Sequence, residues 1–138
     1  MKIERFLFTV LMISIFSKPS FSQQHIEQRK IFVSYVEFNG FTNVRVSCSR
    51  FENDFARRIK SRKIDNIDTI QLLELYLKNA RFKKDFEEID ARAKFIYQGS
   101  DGRRFEICIS RFDVVVNGMM VKRNRKFLTF LKGLALAR

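Results

Sequence analysis

The chain has 138 residues, with 27 Lys and Arg against 15 Asp and Glu, one His, two Cys, one Pro and 16 Phe. That length allows one small domain, and an apolar fraction of 46% with 14% aromatics excludes a disordered chain or a low-complexity linker. A formal charge of +12 directs attention to anionic partners, and a lone histidine gives His-dependent catalysis little to stand on.

Residues 1–22 read as a cleavable secretory signal rather than as structure. Lys2 and Arg5 supply a positive start, Phe6 to Phe16 (FLFTVLMISIF) carries no charge, and Ser17, Lys18 and Pro19 end the apolar run. Ser20 and Ser22 then place small residues three and one before a cut at Gln23. The run is about half the roughly 20 residues needed to span a bilayer, and no Cys adjoins the cut to carry a lipid. The expected product is periplasmic or secreted, with 23–30 as a flexible N-terminal segment and 31–138 as a single domain. Removal of Lys2, Arg5, Lys18 and Glu4 with the signal leaves 24 basic and 14 acidic side chains, a formal charge of +10.

An exported protein meets an oxidising compartment, where Cys48 and Cys108 can pair in one way only. Such a bridge would close a loop of about 60 residues, worth roughly 4 kcal/mol in the chain-entropy model. Strand parity opposes it, because Cys48 shares the apolar phase of Val44 and Val46, while Cys108 falls opposite Phe105, Ile107 and Ile109. A bulge or a strand end would have to bring the sulfurs together. Two buried free thiols are the alternative.

In chain order, residues 31–38 (IFVSYVEF) form a strand, Asn39-Gly40 a tight turn, and residues 41–48 the partner strand of a hairpin. Ser49 and Glu52 have the spacing of a capping box, and Phe51, Phe55 and Ile59 mark the buried stripe of a helix that ends before Ile64. Asp68 caps a second helix, with Ile70, Leu72, Leu73, Tyr76 and Leu77 on its buried face, running to about Ala80 or Phe82. Period-two alternation resumes from Ala91 to Tyr97, turns at Gln98 to Gly102, and returns from Arg103 to Ser110. Phe112 to Val116, Asn117-Gly118 and Met119 to Val121 extend the meander. Asn124 caps a closing helix bearing Phe127, Leu128, Leu131 and Leu134. The order ββααββββα predicts an α+β fold: an antiparallel sheet of five to six strands with helices packed on one face.

No catalytic constellation stands out. His25 lies just past the expected cut, neither cysteine has a histidine in the folded part to activate it, and the five glycines form no phosphate-cradling loop. No metal or cofactor is expected. Asp85, Glu87, Glu88 and Asp90 interleave with Lys83, Lys84 and Arg92 as a self-compensating charge run. A small carboxylate-dependent hydrolase would need two of Glu37, Asp54, Asp85, Glu106 and Asp113 to face each other in a concave site.

Positive charge is the feature in excess. Arg57, Arg58, Arg62 and Lys63 crowd one stretch, with Lys60 among them, and Lys122, Arg123, Arg125 and Lys126 crowd another. These eight are the candidate binding residues, as charge donors. The phenylalanines beside them fall on core phases, so the base-stacking platforms of a nucleic-acid binder are missing, and export makes nucleic acid an unlikely partner. Residues 122–138 could touch a membrane surface as a basic amphipathic helix, although packing as a lid on the sheet is the favoured role. The expectation is a non-enzymatic binding module engaging a protein or an anionic envelope component. The rivals are the hydrolase and a structural envelope protein without a ligand.

Overall fold

The computed structural model describes residues 29–40, 42–85, 88–99 and 101–137. The expected signal at 1–22 and His25 lie outside them. Among the described residues the elements run β1 (Ile31–Tyr35), α1 (Phe51–Asp54), β2 (Lys60–Ile64), α2 (Ile67–Lys78), β3 (Ala93–Gln98), β4 (Arg104–Ile109), β5 (Val114–Val116), β6 (Met119–Met120) and α3 (Arg125–Leu136). The six strands form one antiparallel sheet in the order β2-β1-β3-β4-β5-β6. The fold is therefore α+β with an antiparallel sheet, as its sequence implies.

The first half departs from expectation in detail. The described part of the expected second strand, residues 42–48, is not a strand, because β1 has β2 on one edge and β3 on the other and no ladder position remains. Asn39-Gly40 does turn the chain, with the Gly40 N–H on the Glu37 carbonyl at 3.3 Å, but neither residue has positive φ. The primed hairpin belongs to the other Asn-Gly pair: Asn117 at φ 48° and Gly118 at φ 78° join β5 to β6. The first helix is a single turn. Ser49 does not cap it, since its hydroxyl pairs with that of Ser47 at 3.1 Å, and Glu52 reaches Lys94 instead. Residues 60–64 are drawn into a strand because Ile64 comes opposite Ile31 and is buried, giving this polar stretch its one inward anchor.

Later elements follow the pattern more closely. The cap of α2 is Asn66 rather than Asp68, accepting from the Thr69 N–H at 2.9 Å. Asn124 caps α3 as expected, accepting from the Phe127 N–H at 3.0 Å.

Register sorts the sheet into two faces. On one, Ile31, Val33, Phe95, Tyr97, Ile107, Ile109, Val114 and Val116 meet Ile70 and Leu73 of α2 and Phe127, Leu131 and Ala135 of α3. Fully burying each large side chain of this kind contributes about 1.5–3 kcal/mol. The α3 segment is thus a lid on the sheet. On the opposite face, the cross-strand row Lys94, Cys108, Val115 and Met120 lies under α1 and the segment before it, where Val46, Phe51 and Phe55 join a second cluster. Helices therefore do not share one face: α1 covers the reverse side. Beyond β6, residues 81–83 bond to 120–122 and close that edge. At the far edge, β2 presents Lys60, Ser61, Arg62 and Lys63, the charged side chains that discourage pairing with another chain.

Candidate functional site

The reverse face is built around a crosslink and two buried cations. Cys48 and Cys108 form a disulfide with their Cα atoms 5.8 Å apart. The parity conflict dissolves because only Cys108 is on a strand, while Cys48 lies in the irregular segment that crosses beneath it. Glu106 approaches both sulfurs, but two sulfurs bonded to each other offer no thiolate to a metal. Beside them the Lys94 ammonium, 9% exposed, is neutralised by Glu52 at 2.9 Å and Glu106 at 3.2 Å. The Cys48–Cys108 disulfide suits an oxidising compartment. Among the described residues, no helix is long and apolar enough to cross a membrane.

Arg92 is the second buried cation, with 3% of its surface exposed. It sits just before β3, where the ladder continues through Val36 N–H to the Arg92 carbonyl at 2.9 Å and Arg92 N–H to the Ile109 carbonyl at 2.7 Å. Its Nη2 donates to Asp90 at 2.5 Å and to the Thr42 hydroxyl at 3.1 Å. Asp90 also accepts the Val46 N–H at 3.1 Å, so one carboxylate ties the crossing segment to Arg92. The guanidinium carbon lies 5.9 Å from the centre of the Phe55 ring. Nε is buried with no hydrogen-bond partner among the described residues. Such an orphan is costly in a folded protein, on the order of 1–3 kcal/mol. Sequence reasoning passed over Arg92 because alternation marks it only as facing away from the helix side, and nothing local reveals that this side is also covered.

Arg92 lines a cleft of about 460 Å³ whose other walls are Val36, Glu37, Gly40, Thr42, Phe55, Arg57, Arg58 and Lys60. Two of the candidate binding residues, Arg57 and Arg58, thus line the same cleft as the buried arginine, which Lys60 borders from the start of β2. Arg62 does not join them. It points to the helix side and donates to the Ala137 carbonyl, at the C-terminal end of α3, where a cation suits the helix dipole. Lys63 pairs with Asp65 at 3.7 Å. Lys122, Arg123, Arg125 and Lys126 gather at the other end of α3, roughly 18 Å away along its 12 residues. The two clusters lie towards opposite edges of the sheet, the first just before β2 and the second just beyond β6. Arg57, Arg58, Lys122, Arg123, Arg125 and Lys126 have no carboxylate within ion-pair distance among the described residues.

The candidate acids are dispersed. Glu37 lines the arginine cleft, Asp54 a neighbouring one, and Asp113 a third, while Glu106 is engaged with Lys94. Asp113 shares its cleft with Glu88 and Asp90, together with Arg45, Arg92 and Arg111. Asp90 there already holds Arg92 and a backbone N–H, and Ser110 reaches Asp113 at 3.5 Å. On the helix side, Tyr97 donates to Glu74, which also accepts from Arg29 at 2.9 Å. Burial, reinforced by the Glu74 hydrogen bond, pushes the Tyr97 phenol up to about 12. Its hydroxyl is held protonated as the donor of that network.

Comparison with protein-family models, curated proteins and solved structures found no match to this chain.

Proposed function

We propose that this is an exported, non-enzymatic binding module that engages an anionic partner through the Arg57–Arg58 side of the molecule. The observation that carries the reading is that Arg57 and Arg58 line one cleft with the buried Arg92, with Glu37 the only carboxylate among its described lining residues. Charges without internal partners stay available to a ligand and raise its local concentration. The acids that a hydrolase would need are spread over separate clefts or tied to cations, which favours binding over chemistry. An anionic component of the cell envelope is the partner suited to an exported chain, and export itself rests on the N-terminal pattern together with the disulfide.

The test compares the two basic clusters on vesicles of phosphatidylcholine with and without phosphatidylglycerol. Arg57→Ala/Arg58→Ala should reduce binding to anionic vesicles and flatten its salt dependence, while Lys122→Ala/Arg123→Ala/Arg125→Ala/Lys126→Ala should do so less, although it removes more charge. A loss that simply follows the number of charges removed, or no binding by the parent protein, would contradict the reading.

A further inference from the structure

We infer that the Arg92 cleft is a binding site for a phosphate group, carried either on a small soluble compound or on a lipid headgroup. The inference deepens the anion-binding reading and rests on it. Its independent support is the state of Arg92 itself. More than nine-tenths of this side chain is buried, yet only Nη2 is committed, to Asp90 and Thr42. Nε has no partner among the described residues but is sealed from solvent, and Nη1, which makes no hydrogen bond among them, is the donor left for a ligand. A guanidinium buried beside a cleft with donors to spare is a group prepared for an acceptor that arrives from outside.

The number and placement of the cations select phosphate over carboxylate. A carboxylate is satisfied by one arginine fork, whereas Asp90 holds Arg92 through Nη2 alone. Arg57 and Arg58 line the same cleft as additional donors. A phosphate monoester brings nearly two negative charges and three acceptor oxygens, which matches a site of several separate donors. The Thr42 hydroxyl adds a neutral partner on the wall. Val36, Phe55 and Gly40 complete the lining with apolar surface and a bare backbone. At about 460 Å³ the space exceeds a phosphate ion alone and admits part of the group that bears it. Glu37 is exposed and opposes the charge of the ligand, and it would favour an additional hydroxyl or amine next to the phosphate.

The experiment is calorimetric titration of the oxidised protein with inorganic phosphate and with glycerol phosphate, alongside sedimentation with phosphatidylcholine vesicles that do or do not contain phosphatidic acid. Saturable one-to-one binding of the soluble compounds, weakened about tenfold by Arg57→Ala/Arg58→Ala, supports the site with a soluble ligand. Binding confined to phosphatidic acid vesicles, with the same tenfold loss, supports it with a lipid headgroup. Arg92→Lys should also weaken binding, and if that variant fails to fold, the exposed Arg57 and Arg58 variants decide alone. Absence of binding in both arms, or binding that those two variants leave unchanged, overturns the site. Salt-sensitive attachment to phosphatidylglycerol vesicles could persist in that case, which would remove the cleft and keep the broader anionic reading.

Discussion

On one side of the sheet Phe95, Tyr97, Ile107 and Ile109 meet Phe127 and Leu131 under two helices of 12 residues each. On the other, the strand residues are Lys94, Cys108, Val115 and Met120, and their cover is an irregular segment with one helical turn. The first side is held by buried area. The second adds to a smaller apolar cluster around Phe51, Phe55 and Val115 a disulfide, Lys94 between two carboxylates, and Asp90 joining Arg92 to Val46. Devices of the second kind keep charged side chains inside the fold without an extended apolar core. They leave a buried arginine next to a cleft, whereas the cleft beside α2 is lined by Arg103, which is exposed and paired with Asp101.

The largest effect expected on the helix side is from Phe127→Ala, which removes a fully buried ring stacked 4.9 Å from Tyr76. Chemical denaturation should show a loss of about 3–5 kcal/mol. On the reverse side the corresponding test is Cys48→Ser/Cys108→Ser. The closed loop has a sequence separation of 60, for which the chain-entropy model gives about 4 kcal/mol. If the double variant lost almost nothing, the reverse side would be held by its ion pairs rather than by the crosslink.

A smaller effect separates the sides by pH. The Tyr97 phenol is raised from 10 to about 12 by burial and by Glu74, so the folded state holds its proton more tightly than the unfolded chain does. The stabilisation is complete below pH 10 and is lost as pH rises towards 12, with about 1.4 kcal/mol gone at pH 11. Denaturant midpoints at pH 9 and pH 11 should show this slope in the parent and a flatter one in Tyr97→Phe. Smallest of the set, Asn124→Ala should cost about 1 kcal/mol by removing the α3 cap, read from the same denaturation curves.

The two sides also differ in how openly the sequence declares them. Three-residue and four-residue spacing reveals α3 and most of α2, and alternation reveals β3 and β4, because their apolar periods point to a single core. The reverse side has no such period. Lys60-Ser61-Arg62-Lys63 resembles the solvated flank of a helix, and only its pairing with β1 makes it a strand. The same Asn-Gly dipeptide is a primed hairpin at 117–118 and an ordinary turn at 39–40, since the second lacks a strand to return along. The candidate site was half legible: Arg57 and Arg58 are evident from charge density, whereas Arg92 acquires its role from a long-range cover over 40 residues away in sequence, at Thr42 and the segment that follows it.

On the proposed reading, recognition belongs to the reverse side and stability to the helix side. Amide hydrogen exchange of the oxidised protein, alone and then with saturating glycerol phosphate and with phosphatidic acid vesicles, separates the two sides. Added protection should fall on residues 36–40, 42, 55–60 and 90–92, with none at 122–126 and none in α2. Protection centred on 122–126, or absent everywhere, would contradict that reading.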